Sequence, residues 1–145
     1  YKEIFLTNIY ESMSKLKVLK AKKIFHNNGS IIVLEKKAQF RFNFKRIFYV
    51  FAGKNKIRGN HAHKKCIQLI NCLNGSVEIK CENLKRKKFK FTLNHPRKFL
   101  IIPKMIWCTQ KYLKKNSIVS VICSEKFDEK DYIRNYSSYI ELSKK

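Results

Sequence analysis

From residue 30 onward the sequence breaks into apolar, aromatic and β-branched runs of about five to eight residues, separated by turn signals. That spacing restricts the chain to an all-β body, a sandwich or a barrel. Residues 31–34 form the first clear strand, after Asn27-Asn28-Gly29, where glycine supplies the positive φ of a tight turn. Phe40, Phe42 and Phe44 alternate with Arg41, Asn43 and Lys45, the pattern of one buried face. The next run, Ile47-Phe48-Tyr49-Val50-Phe51, is apolar throughout and reads as buried on both faces. Strands over 66–73 and 76–81 flank Asn74-Gly75, a hairpin signal. Phe89, Phe91 and Leu93 alternate with polar residues, and runs at 99–102 and Ser117–Cys123 complete the set. The period then changes: Tyr132, Ile133, Tyr136, Tyr139 and Ile140 recur at helical spacing, with Asp128 or Asp131 available as a cap. A short C-terminal helix should cover the strands. Residues 1–16 read as an N-terminal extension of uncertain structure, with weak helical spacing over 9–19.

A chain of 145 residues without repeats, low-complexity linkers or Pro/Gly-rich breaks is expected to form one domain. No apolar stretch is long enough to cross a bilayer, and no basic, apolar leader opens the sequence, so a cytoplasmic protein without a membrane partner is expected. Five cysteines without CxxC spacing argue against a disulfide framework or a zinc knuckle and read as buried thiols. The formal charge of +23 raises nucleic acid as a partner. Only six of the 33 basic residues are Arg, however, the lysines are spread along the chain, and no recognition motif accompanies them. Nucleic acid is not expected as a partner; the positive field suits the steering of a small anionic substrate.

The residues able to carry chemistry concentrate at Gly59-Asn60-His61-Ala62-His63. Two imidazoles at i and i+2 on a strand share a face and therefore a cavity. The bland alternative is a pair of surface histidines. Gln68 returns to the same cavity if a bend at Lys64-Lys65 resets the alternation.

The spacing G-x-H-x-H-x4-Q-x6-G, running to Gly75, resembles the first motif of the cupin superfamily, which usually carries Glu where this chain has Gln68. The second cupin motif falls at Pro103-Lys104-Met105-Ile106-Trp107-Cys108, with Met105 at the usual glycine and Cys108 at the usual third histidine. Gln is a weak neutral ligand and Cys selects a softer ion, so ligand type disfavours a ferrous or manganous centre. No metal and no cofactor are expected. Longer strings, Lys45-Arg46-Ile47-Phe48-Tyr49-Val50-Phe51, Arg58 to Lys64, Ile70 to Gly75 and Asp131-Tyr132-Ile133-Arg134-Asn135-Tyr136, are similar to the WxcM-like cupins over residues 17–142. These are TDP-4-keto-6-deoxyhexose 3,4-ketoisomerases.

That resemblance implies a cupin jelly-roll β-barrel with a short C-terminal helix, a homodimer exchanging N-terminal strands, and a TDP-linked keto-deoxysugar substrate of the kind used in lipopolysaccharide O-antigen synthesis. It implies His61, His63 and Tyr49 as catalytic residues. His63 would be the carbon-acid base, His61 the oxygen-side relay, and Tyr49 a group polarising the carbonyl or moving a hydroxyl proton. Arg58, Gln68, Trp107 and Lys64 would bind substrate: Arg58 at the enediolate or diphosphate, Gln68 at a sugar hydroxyl, Trp107 as a wall against sugar or thymine. A metal-dependent cupin enzyme and a non-catalytic cupin that binds sugar or nucleic acid are the alternatives. Nucleotide-sugar epimerases are near neighbours.

Overall fold

In a computed structural model, residues 14–35 and 43–144 are described. Strands β1 (Lys17–Lys20), β4 (Arg46–Ala52), β6 (Gln68–Asn74), β9 (Lys98–Ile102) and β11 (Ser117–Cys123) build one five-stranded sheet in the order β1-β9-β6-β11-β4. Strands β5 (Ile57–His63), β7 (Val77–Glu82), β8 (Lys88–Leu93), β10 (Trp107–Tyr112) and β12 (Tyr132–Ile133) build the second, in the order β12-β5-β10-β7-β8. A hairpin of β2 (Lys22–His26) and β3 (Gly29–Val33) turns at Asn27-Asn28. The pairings are antiparallel, and among the described residues the two sheets do not join by hydrogen bonds into a closed barrel. The architecture is an open jelly roll.

The core lies between the sheets. Ile70, Val77, Ile79, Leu93, Leu100 and Val119 are fully buried there, each worth roughly 1.5–3 kcal/mol of burial. On β4 the inward positions are Arg46, Phe48, Val50 and Ala52, while Ile47, Tyr49 and Phe51 stand exposed. The expectation of burial on both faces fails on this edge strand, since nothing in the described chain covers its outer side. On β6 and β9 both faces are buried, with Leu69, Phe99 and Ile101 packed under Ile32 and Leu34.

Three local expectations are corrected. Gly75, at φ +85, does turn the chain, but β6 and β7 belong to different sheets, so the turn is a corner and not a hairpin. A Cβ there would lie 2.9 Å from the Ser117 Cα. At the C-terminal end Tyr132 and Ile133 pair with His63 and Ala62 as a strand. The helix, α1, spans Tyr136–Leu142 and is capped by Asn135, whose side chain accepts from Ser138 N at 2.9 Å; Asp128 instead caps a 3-10 turn over Glu129–Asp131. Finally, Lys17–Lys20 is a strand, with Lys17 opposite Ile101, not the continuation of a helix. The Phe40 and Phe42 alternation and most of the N-terminal extension lie outside the described residues.

Helix α1 covers the outer face of the second sheet. Tyr139 is fully buried there against Ala62, Ile133 and Trp107, and its hydroxyl donates to the carbonyls of Glu82 at 2.7 Å and Met105 at 3.0 Å.

Candidate active site

Strand β5 pairs with β10 so that His61 stands opposite Cys108, whose side chain belongs to the core between the sheets. Two residues on, His63 faces the same way. Both rings therefore enter the interior, with centroids 5.0 Å apart and planes at 90°. The pairing shifts register at this point, passing from His61 to Gly59 across one residue pair of β10, and Asn60 is the extra residue. Gly59 (φ +84) and Asn60 (φ +57) both adopt the left-handed backbone such a bulge needs. A Cβ on Gly59 would meet the Cys108 carbonyl oxygen at 2.8 Å. The bulge also brings Arg58 opposite Gln110, which faces inward.

His63 is held at both nitrogens. Nδ1 lies 2.8 Å from Asp131 Oδ2, and because a carboxylate only accepts, Nδ1 carries the proton. Nε2 then accepts from the Gln68 amide at 3.2 Å. Asp131 is fixed in turn by the backbone N–H groups of Lys65 at 2.7 Å and Cys66 at 3.3 Å. Burial opposes ionisation of Asp131, yet the hydrogen bonds from His63, Lys65 and Cys66 outweigh it and hold the carboxyl below the ordinary 3.8. For His63, burial disfavours the cation more than Asp131 favours it, and its value falls below the ordinary 6.5. The same cause outweighs a hydrogen bond to the Gly59 backbone and, with the neighbouring charges of His63 and Arg134, pulls His61 down to about 4. His61 Nδ1 is buried with no hydrogen-bond partner.

Tyr132 closes this space, its ring centroid 5.0 Å from that of His61 and 4.3 Å from that of His63. Its hydroxyl accepts from Arg46 Nη2 at 3.3 Å, and Arg134 lies 4.3 Å over its ring. Arg46 also donates to Cys123 Sγ at 3.5 Å, while its Nε is buried without a partner. Two neutral imidazoles, a half-buried guanidinium and a phenol therefore share one side of the interior. Such a set can take a proton from carbon and stabilise the oxyanion that results.

A family model described as "WxcM-like, C-terminal" (FdtA) matches residues 14–144. The chain belongs to this family. A curated relative, the TDP-4-oxo-6-deoxy-alpha-D-glucose-3,4-oxoisomerase of Aneurinibacillus thermoaerophilus, is 33% identical over 124 residues, covering 85% of this chain and 88% of the relative. The sugar 3,4-ketoisomerase QdtA of Thermoanaerobacterium thermosaccharolyticum, solved in complex with TDP, superposes with a TM-score of 0.83 at 35% identity over 89% of this chain and 94% of that one. WlaRA, a TDP-fucose-3,4-ketoisomerase from Campylobacter jejuni, gives 0.81 at 35% identity over 89% and 96%.

Within this WxcM-like chain, the residues singled out from sequence divide. His61, His63 and Gln68 meet, as the bend at Lys64-Lys65 allows. Arg58 lies on the inner side of β5 but is exposed. Tyr49 is not brought to the histidines: it is 55% exposed on the outer side of β4, in a cleft lined also by Ile32, Leu34 and Phe99. The uniform apolar run around it hides the alternation that assigns faces. Trp107 points away from Cys108, to the outer side of β10, and packs against Tyr136 at 5.0 Å and Tyr139 at 5.5 Å. It borders a cleft of about 660 Å³ with Lys80, Lys88, Lys90 and Phe89, which contains neither histidine; the chemistry, not the size of that cleft, locates the site. Lys64 is exposed and donates to the Lys130 carbonyl at 2.7 Å. Asp131, Tyr132, Arg134 and Arg46 were missed. All four stand in the strings Lys45 to Phe51 and Asp131 to Tyr136, whose helical reading and apolar company drew attention from their polar groups.

Proposed function

We propose that the chain is a nucleotide-sugar 3,4-ketoisomerase that converts TDP-4-keto-6-deoxyglucose to a TDP-3-keto-6-deoxyhexose through an enediolate. The observation that carries this reading is the interior His61/His63 pair, with His63 fixed by Asp131 and Gln68, in a member of a family whose matched relatives are 3,4-ketoisomerases.

His61 is the carbon base. Its Nδ1 has no partner, and burial keeps the ring neutral down to about pH 4. An anionic diphosphate nearby raises that value toward the operating pH, which improves the match for proton transfer. Both nitrogens of His63 are engaged, which suits a relay on the oxygen side and reverses the division expected from sequence. Taking the C3 proton forms a C3–C4 double bond and places negative charge on O4. The half-buried Arg46 guanidinium and the Tyr132 hydroxyl stabilise that charge. Passage of the O3 proton to O4 and return of the His61 proton to C4 leave the ketone at C3 and the hydroxyl at C4. Arg58, at the exposed end of the same strand face, suits the diphosphate.

The proposed assembly is a cytoplasmic homodimer with exchanged N-terminal strands. Ile47, Tyr49, Phe51 and Leu73 form an exposed apolar face on the first sheet, and the four-residue β1 lies at its edge. No helix of the described residues is long and apolar enough to cross a membrane. The lysine excess serves steering of the diphosphate rather than binding of nucleic acid. Incubation with the 4-keto sugar in heavy water tests the reaction: NMR should show the ketone at C3 and deuterium at C4. Unchanged substrate with no exchange rejects the proposal.

A further inference from the structure

Where β5 ends, three unlike ligand groups converge. A ring nitrogen of His63, Cys66 Sγ and an Asp131 carboxylate oxygen lie within 4.8 Å of one another. Their residues are only 5%, 2% and 7% exposed. Among the described residues this is the one group of three or more His, Cys, Asp or Glu side chains compact enough to hold an ion. Only His63 belongs to the cupin ligand positions; His61 and Cys108 are not part of the group. The cluster is assembled instead from the end of β5, the bend after it and the 3-10 turn.

We propose that His63, Cys66 and Asp131 form an inhibitory site for a soft divalent cation, zinc being the ion whose chemistry fits. Imidazole nitrogen, thiolate sulfur and carboxylate oxygen are its three usual ligand types, at distances of about 2.0–2.3 Å. A harder ion such as magnesium would not accept the sulfur, and burial of the group favours an ion that sheds its water readily. Cys123 adds a second sulfur beside the first, since its thiol is hydrogen-bonded to Cys66.

The protons balance. Asp131 is already ionised, Cys66 releases its thiol proton to solvent, and His63 moves its proton from Nδ1 to Nε2, so one proton leaves for each ion bound. Gln68 follows by turning its amide to present oxygen to the new Nε2–H. The ion thereby takes the nitrogen that Asp131 orients and freezes the tautomer that the relay must change. The inhibitory consequence rests on the proposed isomerase function; binding of the ion does not.

Cys66 makes the test clean, for its thiol donates to the Ile67 carbonyl at 3.4 Å and has no part in the proton transfers. Untagged full-length chain, treated with chelator, is titrated with cobalt(II). One equivalent should produce a sulfur-to-cobalt charge-transfer band in the near ultraviolet, competed away by zinc. Cys66→Ser should lose the band, keep its isomerase rate and require at least tenfold more zinc for half inhibition. Cys66→Ala, with thermal melts on both variants, guards against a folding defect of the serine form. His61→Asn should retain the band, which separates this site from the cupin ligand positions. A wild-type chain without the band, a band that survives in both Cys66 variants, or equal zinc sensitivity in those variants overturns the proposal. A band that appears and depends on Cys66 in a chain with no isomerase activity upholds the ion site and rejects the enzymatic reading.

Discussion

Replacing Asp131 with Asn removes one charge and exchanges an acceptor for a donor at the point where the C-terminal segment grips the strand that carries both histidines. The carboxylate accepts from His63 Nδ1 at 2.8 Å, Lys65 N at 2.7 Å and Cys66 N at 3.3 Å. An amide offers one accepting oxygen, so either His63 or the backbone loses its partner. If the amide donates to Nδ1, the ring is driven to the other tautomer and the Gln68 amide must turn. A hydrogen bond to a charged group is worth about 1.5–3 kcal/mol, so kcat should fall roughly 10- to 150-fold. KM should hardly move, because in the proposed arrangement Asp131 touches His63 and not the sugar. The carboxylate raises the His63 value, and without it the acidic limb of the rate profile should move to lower pH. The mismatched amide should also lower stability by about 1–3 kcal/mol in urea titrations. Initial rates by NMR across the pH range decide the matter. A variant whose kcat stays near wild type with an unmoved acidic limb would refute the positioning role assigned to Asp131.

Acid should destabilise the fold in two stages. Both histidines have folded values below the ordinary 6.5, so below that pH the unfolded chain takes up protons that the folded chain refuses. Stability therefore falls as pH drops from 6.5 toward about 4, by at most about 3 kcal/mol for His61 and less after solvent screening. Asp131 acts in the same direction at lower pH: its contribution is present above 3.8 and is lost as pH falls through its depressed folded value. Urea titrations of wild type and His61→Asn should show a shallower loss between 6.5 and 4 in the variant; identical slopes would contradict the burial of His61. Gly59→Ala should cost at least about 1–3 kcal/mol, from the positive φ and the 2.8 Å approach of the Cys108 carbonyl, and thermal melts would expose an unstrained bulge. Tyr49→Phe should keep kcat within about twofold, since the hydroxyl lies outside the histidine site; a large loss would mean that a second copy brings it there.

What could be read from sequence was whatever alternation makes visible. His61 and His63 share a face because i and i+2 always do on a strand, and the bend at Lys64-Lys65 allowed Gln68 to rejoin them. The side on which Tyr49 stands was hidden for the converse reason: in Ile47 to Phe51 each position is apolar or aromatic, so the run carries no parity, and only the exposure along β4 reveals which side faces out. The side of the sheet that Trp107 occupies was not legible because β10 went unrecognised as a strand. Its inward positions are Cys108, Gln110 and Tyr112, and a Gln bonded to the Tyr112 hydroxyl at 3.1 Å does not read as core. The partnership of Asp131 with His63 spans 68 residues, beyond the reach of local pattern.

The two departures from the second cupin motif follow different logic. Met105 still adopts the left-handed backbone that the usual glycine permits, at φ +59, and its N–H donates to the His63 carbonyl at 2.6 Å. The backbone geometry of that turn is thus preserved without the residue that makes it cheap, because Tyr139 fastens the Met105 carbonyl from the helix above. Cys108 preserves only position. It stands opposite both His61 and Cys81 but offers a buried thiol, pushed well above the ordinary thiol range by Cys81 and by burial, in place of a third imidazole. A metal-binding cupin would lose a ligand by that change. In the proposed isomerase, with its proton carried on His61, His63 steadied by Asp131 and charge stabilised by Arg46, a thiol at Cys108 removes no group that the reaction uses.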